Sequence, residues 1–252
     1  MKKIITTVLV GMMLGCFSVS AVAGESAEEG NWNFSLTPLY LWMVDMDGDM
    51  GLGPVDTGVS VDFETIFDNL EAVFTVHFEG LHRNNWGFLL DFSYLDVSAS
   101  ESMGPLKLTI DMLSVIAEAG GYYRIDRGPN RFDLLGGIRY TKLEPDITFT
   151  TPPLPVFSKT EDWVDPFVGV RYIRDLSDKW MFLLRGDIGG FGVGSDFTWH
   201  AFAFIRFQPW KNAAFLAGYR ALYQDYEDGS GADRFKYDML LHGPLFAINF
   251  VW

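Results

Sequence analysis

Ionisable side chains alternate with large apolar ones along much of this sequence. Arg171 follows Gly169 by two residues, and Arg185 precedes Asp187 by two. Residues two apart on an extended chain share one face, so arginines and carboxylates of neighbouring segments can form ion pairs in a confined space. This pattern predicts charge pairing and not bond-making chemistry. The candidate charge network is Glu79, Asp91, Glu118, Arg139, Asp165, Arg171, Arg185, Asp187, Arg220 and Asp238.

The histidines give no support for a metal or catalytic centre. His77, His82, His200 and His242 have neither the His-x-x-x-His nor the His-Glu-x-x-His spacing of zinc sites. No serine stands in a recognisable pairing with them, as a nucleophile and its base would. We therefore predict no catalytic residue, no cofactor and no metal, and expect interior hydrogen bonding from these side chains.

Two acidic segments have the oxygen density of calcium sites, namely 45–49 (Asp-Met-Asp-Gly-Asp) and 225–229 (Asp-Tyr-Glu-Asp-Gly). Neither has the full spacing of a calcium-binding loop, so we interpret both as acidic loops in solvent. The alternative is that their carboxylates bridge to lipopolysaccharide through divalent cations.

Strands must position these charges, because alternation of apolar and polar residues continues to the end of the chain. Short turns near 84–85, 126–130, 175–178 and 209–212 alternate with generally longer, more polar loops, as in transmembrane β-barrels; the short 192–195 turn is an exception. The candidate strands are 32–44, 55–63, 73–83, 86–97, 106–124, 131–149, 159–174, 180–191, 196–207, 213–226 and 234–252, with a short helix near 64–70.

Eleven candidate strands conflict with the even number that single-chain bacterial barrels use. If 55–63 folds back without spanning, ten strands remain and 45–70 becomes one long outer excursion; a further split segment gives twelve, within a range of 8–12. We predict an all-β fold, a closed antiparallel transmembrane barrel of ten strands.

The charges of such a barrel must face its lumen. In 86–97, Phe88 and Leu90 share one face and Asp91 lies on the other. An arginine facing lipid near the bilayer midplane costs about 2–4 kcal/mol, so four of them would remove a typical folding free energy. The lumen is then either a closed charged plug or a constriction that selects solutes. If it is a plug, Arg185→Ser should open a leak.

The last strand carries the lipid-facing set Phe246, Ile248, Phe250 and Trp252, through which barrel-assembly machinery would recognise the chain. Before it, Tyr237, Met239 and Leu241 are predicted to face outward and Asp238 inward. The parity therefore reverses at 242–244, which predicts a β-bulge there. In the first strand, the predicted outward set is Phe34, Leu36, Tyr40 and Trp42.

The amino terminus has the pattern of a cleaved export signal. Lys2 and Lys3 precede the apolar run 4–17, and Ala21-Val22-Ala23 fits the cleavage motif. We assign 1–23 to a signal peptide, 24–31 to a short leader and 32–252 to the barrel domain. The only cysteine, Cys16, lies in the signal, so a disulfide scaffold is excluded after cleavage.

Bulk composition agrees with membrane-spanning strands. The chain is 48% hydrophobic and 16% aromatic, yet after the signal it has no uninterrupted apolar run of about 20 residues, the length of a spanning helix. The formal net charge is −14, which argues against nucleic acid as a partner.

Several segments carry a resemblance to known proteins. They are 165–171 (Asp-Pro-Phe-Val-Gly-Val-Arg), 185–196, 218–220 (Gly-Tyr-Arg), 237–238 and 242–244 (His-Gly-Pro). On these segments the chain resembles the small outer-membrane β-barrels of Gram-negative bacteria, the group around the outer-membrane protein A barrel, and more narrowly a family of porin-like barrels of about this length. The resemblance implies an outer-membrane location and a barrel fold, and supplies no substrate or catalytic residue.

Three functions stay open. The first is a structural or surface-interaction barrel of the envelope with an occluded lumen, the second a narrow passive pore for small solutes, and the third an enzyme acting on envelope lipid or peptide. The expected partners are outer-membrane lipid and lipopolysaccharide, and the oligomeric state is open. The rival fold is a secreted soluble sandwich or lipocalin-like barrel, with apolar faces inward.

Overall fold

The fold was described from a computed structural model of the chain, which covers residues 30–103, 106–149 and 157–252. Residues 31–252 form one compact unit. The predicted signal 1–23 and all but the end of the leader lie outside the described residues. No helix in the described ranges is long and apolar enough to cross a membrane.

Strands dominate the described chain, as the alternation predicts, and the short helix is confirmed. The elements are β1 (Trp32–Thr37), β2 (Tyr40–Trp42), β3 (Asp45–Leu52), β4 (Val55–Val61), α1 (Phe63–Asp68), β5 (Leu70–His82), β6 (Trp86–Met103), β7 (Leu106–Arg127), β8 (Asn130–Phe149), β9 (Phe157–Ser158), β10 (Glu161–Asp175), β11 (Trp180–Gly190), β12 (Phe197–Trp210), β13 (Ala213–Asp228), a 3-10 turn (Gly231–Asp233) and β14 (Phe235–Val251).

The sheet closes into an antiparallel barrel. Nine strands follow one another around the ring in the order β5, β6, β7, β8, β10, β11, β12, β13 and β14. β1, β2 and β3 pair one after another along β14 and together form the tenth position, which β1 closes by pairing with β5. The predicted closed ten-stranded barrel is thus confirmed. β4 pairs with the edge of β3 that faces away from β14, and β9 pairs with β8 in the register that β10 continues.

Between β1 and β2 the side chains that face inward change from odd-numbered to even-numbered residues. The sequence pattern does not predict this reversal. Leu36 lies opposite Phe250 on β14, whereas Tyr40 lies opposite Ala247, so the register shifts by one residue between them. The shift occurs at Leu39, whose φ is +78°. The prediction that Tyr40 faces outward with Leu36 is therefore wrong, and its hydroxyl contacts buried charges inside the barrel.

The last strand has no β-bulge, so that prediction is wrong. β13 and β14 pair in one continuous register from Ala213–Phe250 to Asp228–Phe235. The residues that were expected to face lipid, Tyr237, Met239 and Leu241, are buried inside. The predicted insertion set is exposed on the outer face, with Phe246 at 48% and Trp252 at 57% exposure; Ile248 and Phe250 lie there too.

The environment of β14 changes near Gly243. On one side of this residue the outward face of the strand is apolar, and on the other side the inward face is apolar. Towards the carboxyl end, apolar residues point outward; towards the amino end, they point inward and Asp238 lies on the outer face. We infer that β14 leaves the bilayer there. The end of the barrel with the short turns is called the inner end here, and the opposite end the outer end.

The outer half of the barrel encloses an apolar cluster, called the apolar seal below. Its buried members are Val44, Ile66, Ile116, Leu143, Trp163, Leu222, Tyr226, Phe235, Tyr237, Met239 and Leu241. Segment 45–49, expected to be a solvent loop, is part of strand β3, and Met46 packs against the seal. In the inner half, by contrast, Leu134, Ile138, Val168, Val170, Leu184 and Ile188 are exposed on the outer face.

Arg234 fastens the β3–β4 hairpin to the end of β13. Its Nη1 donates to Asp56 Oδ1 at 2.5 Å and its Nε donates to Glu227 Oε1 at 2.8 Å. These hydrogen bonds hold the pKa of the Asp56 and Glu227 carboxyls below their usual range. A lowered carboxyl pKa adds stability above the unfolded pKa of about 4, and this stability is lost as the pH falls through the folded pKa.

We therefore expect the hairpin to loosen in acid. In wild-type protein, hydrogen-exchange protection of residues 45–61 should fall as the pH drops below about 4. Arg234→Gln should lower that protection several-fold at neutral pH and abolish the acid step, whereas Lys211→Gln at the inner end should change neither. An acid step of unchanged size in Arg234→Gln would contradict the role of Arg234.

Candidate functional site

The inward faces of the strands bring buried charges together in the middle of the barrel. Arg139 on β8 and Arg185 on β11 both lie over the Phe167 ring, each guanidinium carbon 5.3 Å from the ring centre. A side chain at Gly137 would collide with the Ala119 carbonyl and come within 2.9 Å of the Phe167 ring. The glycine thus leaves room for this ring inside the lumen.

Towards the inner end, Asp133 joins two arginines. Arg124 Nε donates to Asp133 Oδ1 at 2.8 Å, and Arg171 Nε donates to Asp133 Oδ2 at 2.7 Å. Arg171 also donates through Nη1 to Glu79. Asp133 is fully buried and Arg171 nearly so, so the Coulomb attraction between them is screened less than in a surface ion pair.

A histidine and a tyrosine continue the chain of contacts. His77 lies between Glu79 and Asp91, with ring nitrogens 3.0 Å from an oxygen of each. The Tyr40 hydroxyl donates to Asp91 Oδ1 at 2.9 Å and accepts from Arg220 Nη1 at 3.0 Å. Arg220 Nη1 lies 3.5 Å from the same Asp91 oxygen.

Around Phe167 the charges form a closed set. Arg139 donates to Glu118 through Nε and to Asp187 through Nη2, both at 2.8 Å. Arg185 donates to Asp187 at 2.9 Å and to Glu118 at 3.1 Å. Arg220 joins this set at 3.9 Å from Glu118.

All these contacts form one connected set, which we call the lumen network. Its members are Tyr40, His77, Glu79, Asp91, Glu118, Arg124, Asp133, Arg139, Arg171, Arg185, Asp187 and Arg220. The five arginines balance the five carboxylates, so these ten groups together carry no net charge. This balance matters because an uncompensated buried charge costs several kcal/mol.

The lumen network joins strands on opposite sides of the ring. β5 and β10, joined by Glu79 and Arg171, are four positions apart in the ten-position ring, as are β6 and β13, joined by Asp91 and Arg220. Side chains that meet across the centre narrow the lumen. The arrangement is therefore a charged constriction across the described lumen.

The apolar seal closes the lumen a second time, nearer the outer end. Trp163 on β10 stacks on Tyr226 on β13 with ring centres 4.0 Å apart, although these strands are three positions apart. Tyr237 on β14 lies 5.9 Å from the Trp163 ring. Gln224 Nε2 donates to Thr141 Oγ1 at 2.8 Å between the two closures.

Two of the ten predicted network residues lie elsewhere. Asp165 is fully buried but binds Ser195, through the backbone N–H at 2.6 Å and the hydroxyl at 2.8 Å, and accepts from Trp163 Nε1 at 3.1 Å. Asp238 is on the outer face and accepts from the Tyr223 hydroxyl at 2.8 Å, so its predicted inward position is wrong. The other eight are brought together in the lumen.

Sequence reasoning left out Tyr40, Arg124, Asp133 and His77 from the network. Asp133 and Arg139 are six residues apart in one strand and so share its inward face, a signal that could have identified Asp133. His77 is likewise two residues from Glu79. Tyr40 carried no such signal, because the parity reversal at Leu39 is invisible in the pattern.

His200 is buried in the lumen, with its Nδ1 3.5 Å from oxygens of both Glu118 and Asp187, whereas the other two histidines have separate environments. His82 packs against Trp32 and Trp86 rings near the inner end. His242 lies 3.0 Å from Asp47 and 2.8 Å from the Tyr219 hydroxyl. Among the residues that the structure describes, no group of three histidine, cysteine, aspartate or glutamate side chains could hold a metal ion.

Comparisons with known proteins return similar barrels. No protein-family model and no curated protein matches the chain. A solved structure of the translocator domain of the autotransporter NalP from Neisseria meningitidis is 12% identical, with a TM-score of 0.48, covering 99% of this chain and 97% of that one. The attachment invasion locus protein Ail of Yersinia pestis, solved with the heparin analogue sucrose octasulfate, is 12% identical with a TM-score of 0.37, covering 88% and 100%.

The outer membrane protein OprG of Pseudomonas aeruginosa is 10% identical, with a TM-score of 0.33, covering 87% of this chain and 95% of that one. These matches are small outer-membrane barrels, as the sequence resemblance predicts. At such identities they transfer no residue role or activity. In fold, this chain is a closed ten-stranded antiparallel β-barrel.

Proposed function

We propose that this protein is an integral outer-membrane barrel with an occluded lumen and a structural or surface-interaction role in the envelope. The observation that carries the proposal is the lumen network, whose ion pairs join opposite walls, with Arg171, Asp91 and Arg220 buried and Glu79 half-buried. The apolar seal above it closes the same path again. Two closures of different chemistry in series argue against a passive pore.

The height of the barrel wall supports a role at the cell surface. A membrane strand needs about 9–11 residues. β11 has 11 residues, whereas β6, β7 and β8 have 18, 22 and 20. These three strands therefore extend beyond the bilayer at the outer end and form a raised wall, which would be available to a partner outside the cell.

The enzyme alternative gains no support from the histidines. His77 is held between Glu79 and Asp91, and His242 lies between Asp47 and Tyr219. Neither contacts a serine that it could activate as a nucleophile.

Localisation and partners complete the proposal. Export through a cleaved signal peptide, insertion by barrel-assembly machinery through β14, and contact with lipopolysaccharide follow from the sequence pattern. The lipid-facing belt and the polar outer end are consistent with a bilayer whose outer surface lies near Gly243.

Planar-bilayer recording tests the occluded lumen. We expect purified wild-type protein to give no conductance steps at any applied voltage, because no solute path crosses both closures. Insertion is verified by the lower gel mobility of boiled compared with unheated sample, and an open porin serves as the positive control. Regular unitary steps from folded wild-type protein would favour the pore alternative and overturn the proposal.

A further inference from the structure

The barrel wall is interrupted on its outer half, between β5 and the β3–β4 hairpin that continues the tenth ring position. β1 pairs with β5 only from His77 to His82. Thr75 makes the last hydrogen bonds across this line: its carbonyl accepts from Leu39 N at 2.9 Å, and its Oγ1 accepts from Tyr40 N at 2.8 Å. Within the described ranges, no hydrogen bond joins residues 70–74 to β2, β3 or β4. We call this interruption the wall gap.

Helix α1 covers the wall gap with few fixed contacts. The Asp62 side chain accepts from Thr65 N at 2.8 Å, and Asp45 Oδ1 accepts from Phe63 N at 2.7 Å. Ile66 is the buried residue of the helix. Because a six-residue helix is marginal by itself, and no ladder ties it to β5, this part of the wall should open at lower cost than the paired strands.

Apolar surface lies on both sides of α1. Inside, Ile66 belongs to the apolar seal, against which Leu95 and Val97 of β6 also pack. Outside, Phe67 and Phe74 are each 53% exposed and Leu41 is 47% exposed. On this side the seal is covered by β4, whose Val59 and Val61 pack against it, and by the short helix α1, which joins β4 to β5. A polar ligand would find few partners on this path, whereas an acyl chain would stay in apolar surroundings throughout.

We propose that the wall gap admits one acyl chain of an outer-leaflet lipid into the apolar seal, with α1 as the part of the wall that moves. The lipid head group stays at the membrane surface, because the path lies at the level where β3 and β14 leave the bilayer. Three methionines, Met46, Met50 and Met239, contact the seal and can adapt their side chains to a guest chain. This lateral entry goes beyond the proposed function, and the lumen network below it stays closed.

Photo-crosslinking to lipid tests the entry. The photoreactive residue benzoylphenylalanine is placed at Leu95, which is inward and beside the wall gap, or at Leu81, which is inward on β5 where β1 covers it. The full-length folded barrel is reconstituted in dioleoylphosphatidylcholine vesicles and irradiated, and adducts are measured by mass spectrometry. Phe74, on the outer face, is the positive control for lipid contact.

We expect a phosphatidylcholine adduct at Leu95 and at Phe74 but none at Leu81. Labelling at Phe74 alone would overturn the proposal, and so would equal labelling at Leu95 and Leu81, since general loosening of the barrel would then explain it. Only samples that keep the mobility of the folded barrel on an unheated gel are scored.

The role of α1 is tested by shortening its buried side chain. Ile66→Ala should raise the adduct yield at Leu95 several-fold, whereas the matched change Leu135→Ala, in a separate apolar cluster of the inner half, should leave that yield unchanged. An unchanged yield in Ile66→Ala would contradict entry beside α1. If the entry is lateral, bilayer conductance stays at zero in both variants. A missing lipid adduct would therefore count against lateral entry alone, whereas conductance of the wild-type protein would count against the occluded lumen.

Discussion

Arg139→Met should destabilise the folded barrel by about 3–5 kcal/mol, the cost of leaving a buried charge without its partner. Arg139 is fully buried and bonds both Glu118 and Asp187, so its removal leaves those two carboxylates to share Arg185. The measurement is urea unfolding in lipid vesicles, followed by tryptophan fluorescence. A loss of this size is a large part of the 5–15 kcal/mol typical of folded proteins.

Arg174→Met is the matched control, since Arg174 is exposed near the inner end of β10 and should change stability by less than about 0.5 kcal/mol. Neutralising one orphaned carboxylate as well, in Arg139→Met with Asp187→Asn, should recover part of the loss. If Arg139→Met and Arg174→Met were equally stable, the lumen network would not be the buried, charge-balanced set described here.

Opening the lumen should require changes in both closures. Arg185→Ser removes a bridge of the lumen network, and Trp163→Ala removes the aromatic stack of the apolar seal. Because the closures lie in series, we expect each single variant to remain silent in planar bilayers and the double variant to show conductance steps. The sequence pattern alone led us to expect a leak from Arg185→Ser, since it gave no sign of the second closure.

A conservative double variant distinguishes the loss of a lumen closure from the loss of folding. Arg185→Lys with Trp163→Phe keeps a cation and an aromatic ring at the two positions and should stay silent. Each variant must show the folded band on an unheated gel before recording. Conductance from Arg185→Ser alone would show that the apolar seal does not close the path, and silence of the folded double variant would show that further side chains do.

Most of the fold follows from local alternation, because lipid on one side and buried charge on the other force a period of two on each spanning strand. Phe88 and Phe250 were predicted to face lipid, and they lie on outward faces, so the rival soluble fold with apolar faces inward is not adopted. The rule that such barrels have an even number of strands led to a count of ten, and the structure agrees because β4 folds back along β3 and adds no spanning strand.

The errors arose from two assumptions, a constant environment and a constant register along each strand. The register of β14 is constant, but the strand passes from the bilayer into water. Its apolar residues therefore move from the outward to the inward face, a pattern that resembles a bulge. Asp238 was assigned to the lumen for that reason. In the first ring position the register does shift, at Leu39, but the apolar pattern continues across the shift and conceals it.

Pairing partners within the lumen could not be derived from one sequence. Alternation assigns Glu79 and Arg171 to the inward face, but their contact depends on which strands face each other across the ring. That follows from the strand number, the shear and the tilt of the closed barrel together. Asp165 shows the consequence, since it faces inward as predicted yet binds Ser195 in place of an arginine.

The central claim is that one continuous strand has two environments, and spin-label accessibility along β14 tests it most directly. Single labels are introduced by Phe246→Cys, Asp238→Cys and Met239→Cys, and collision rates are measured with oxygen, which concentrates in lipid, and with a water-soluble nickel complex. We predict that the label at 246 collides mainly with oxygen, that at 238 mainly with nickel, and that at 239 with neither. Nickel-dominated collisions at 246, or oxygen-dominated collisions at 238, would contradict the account.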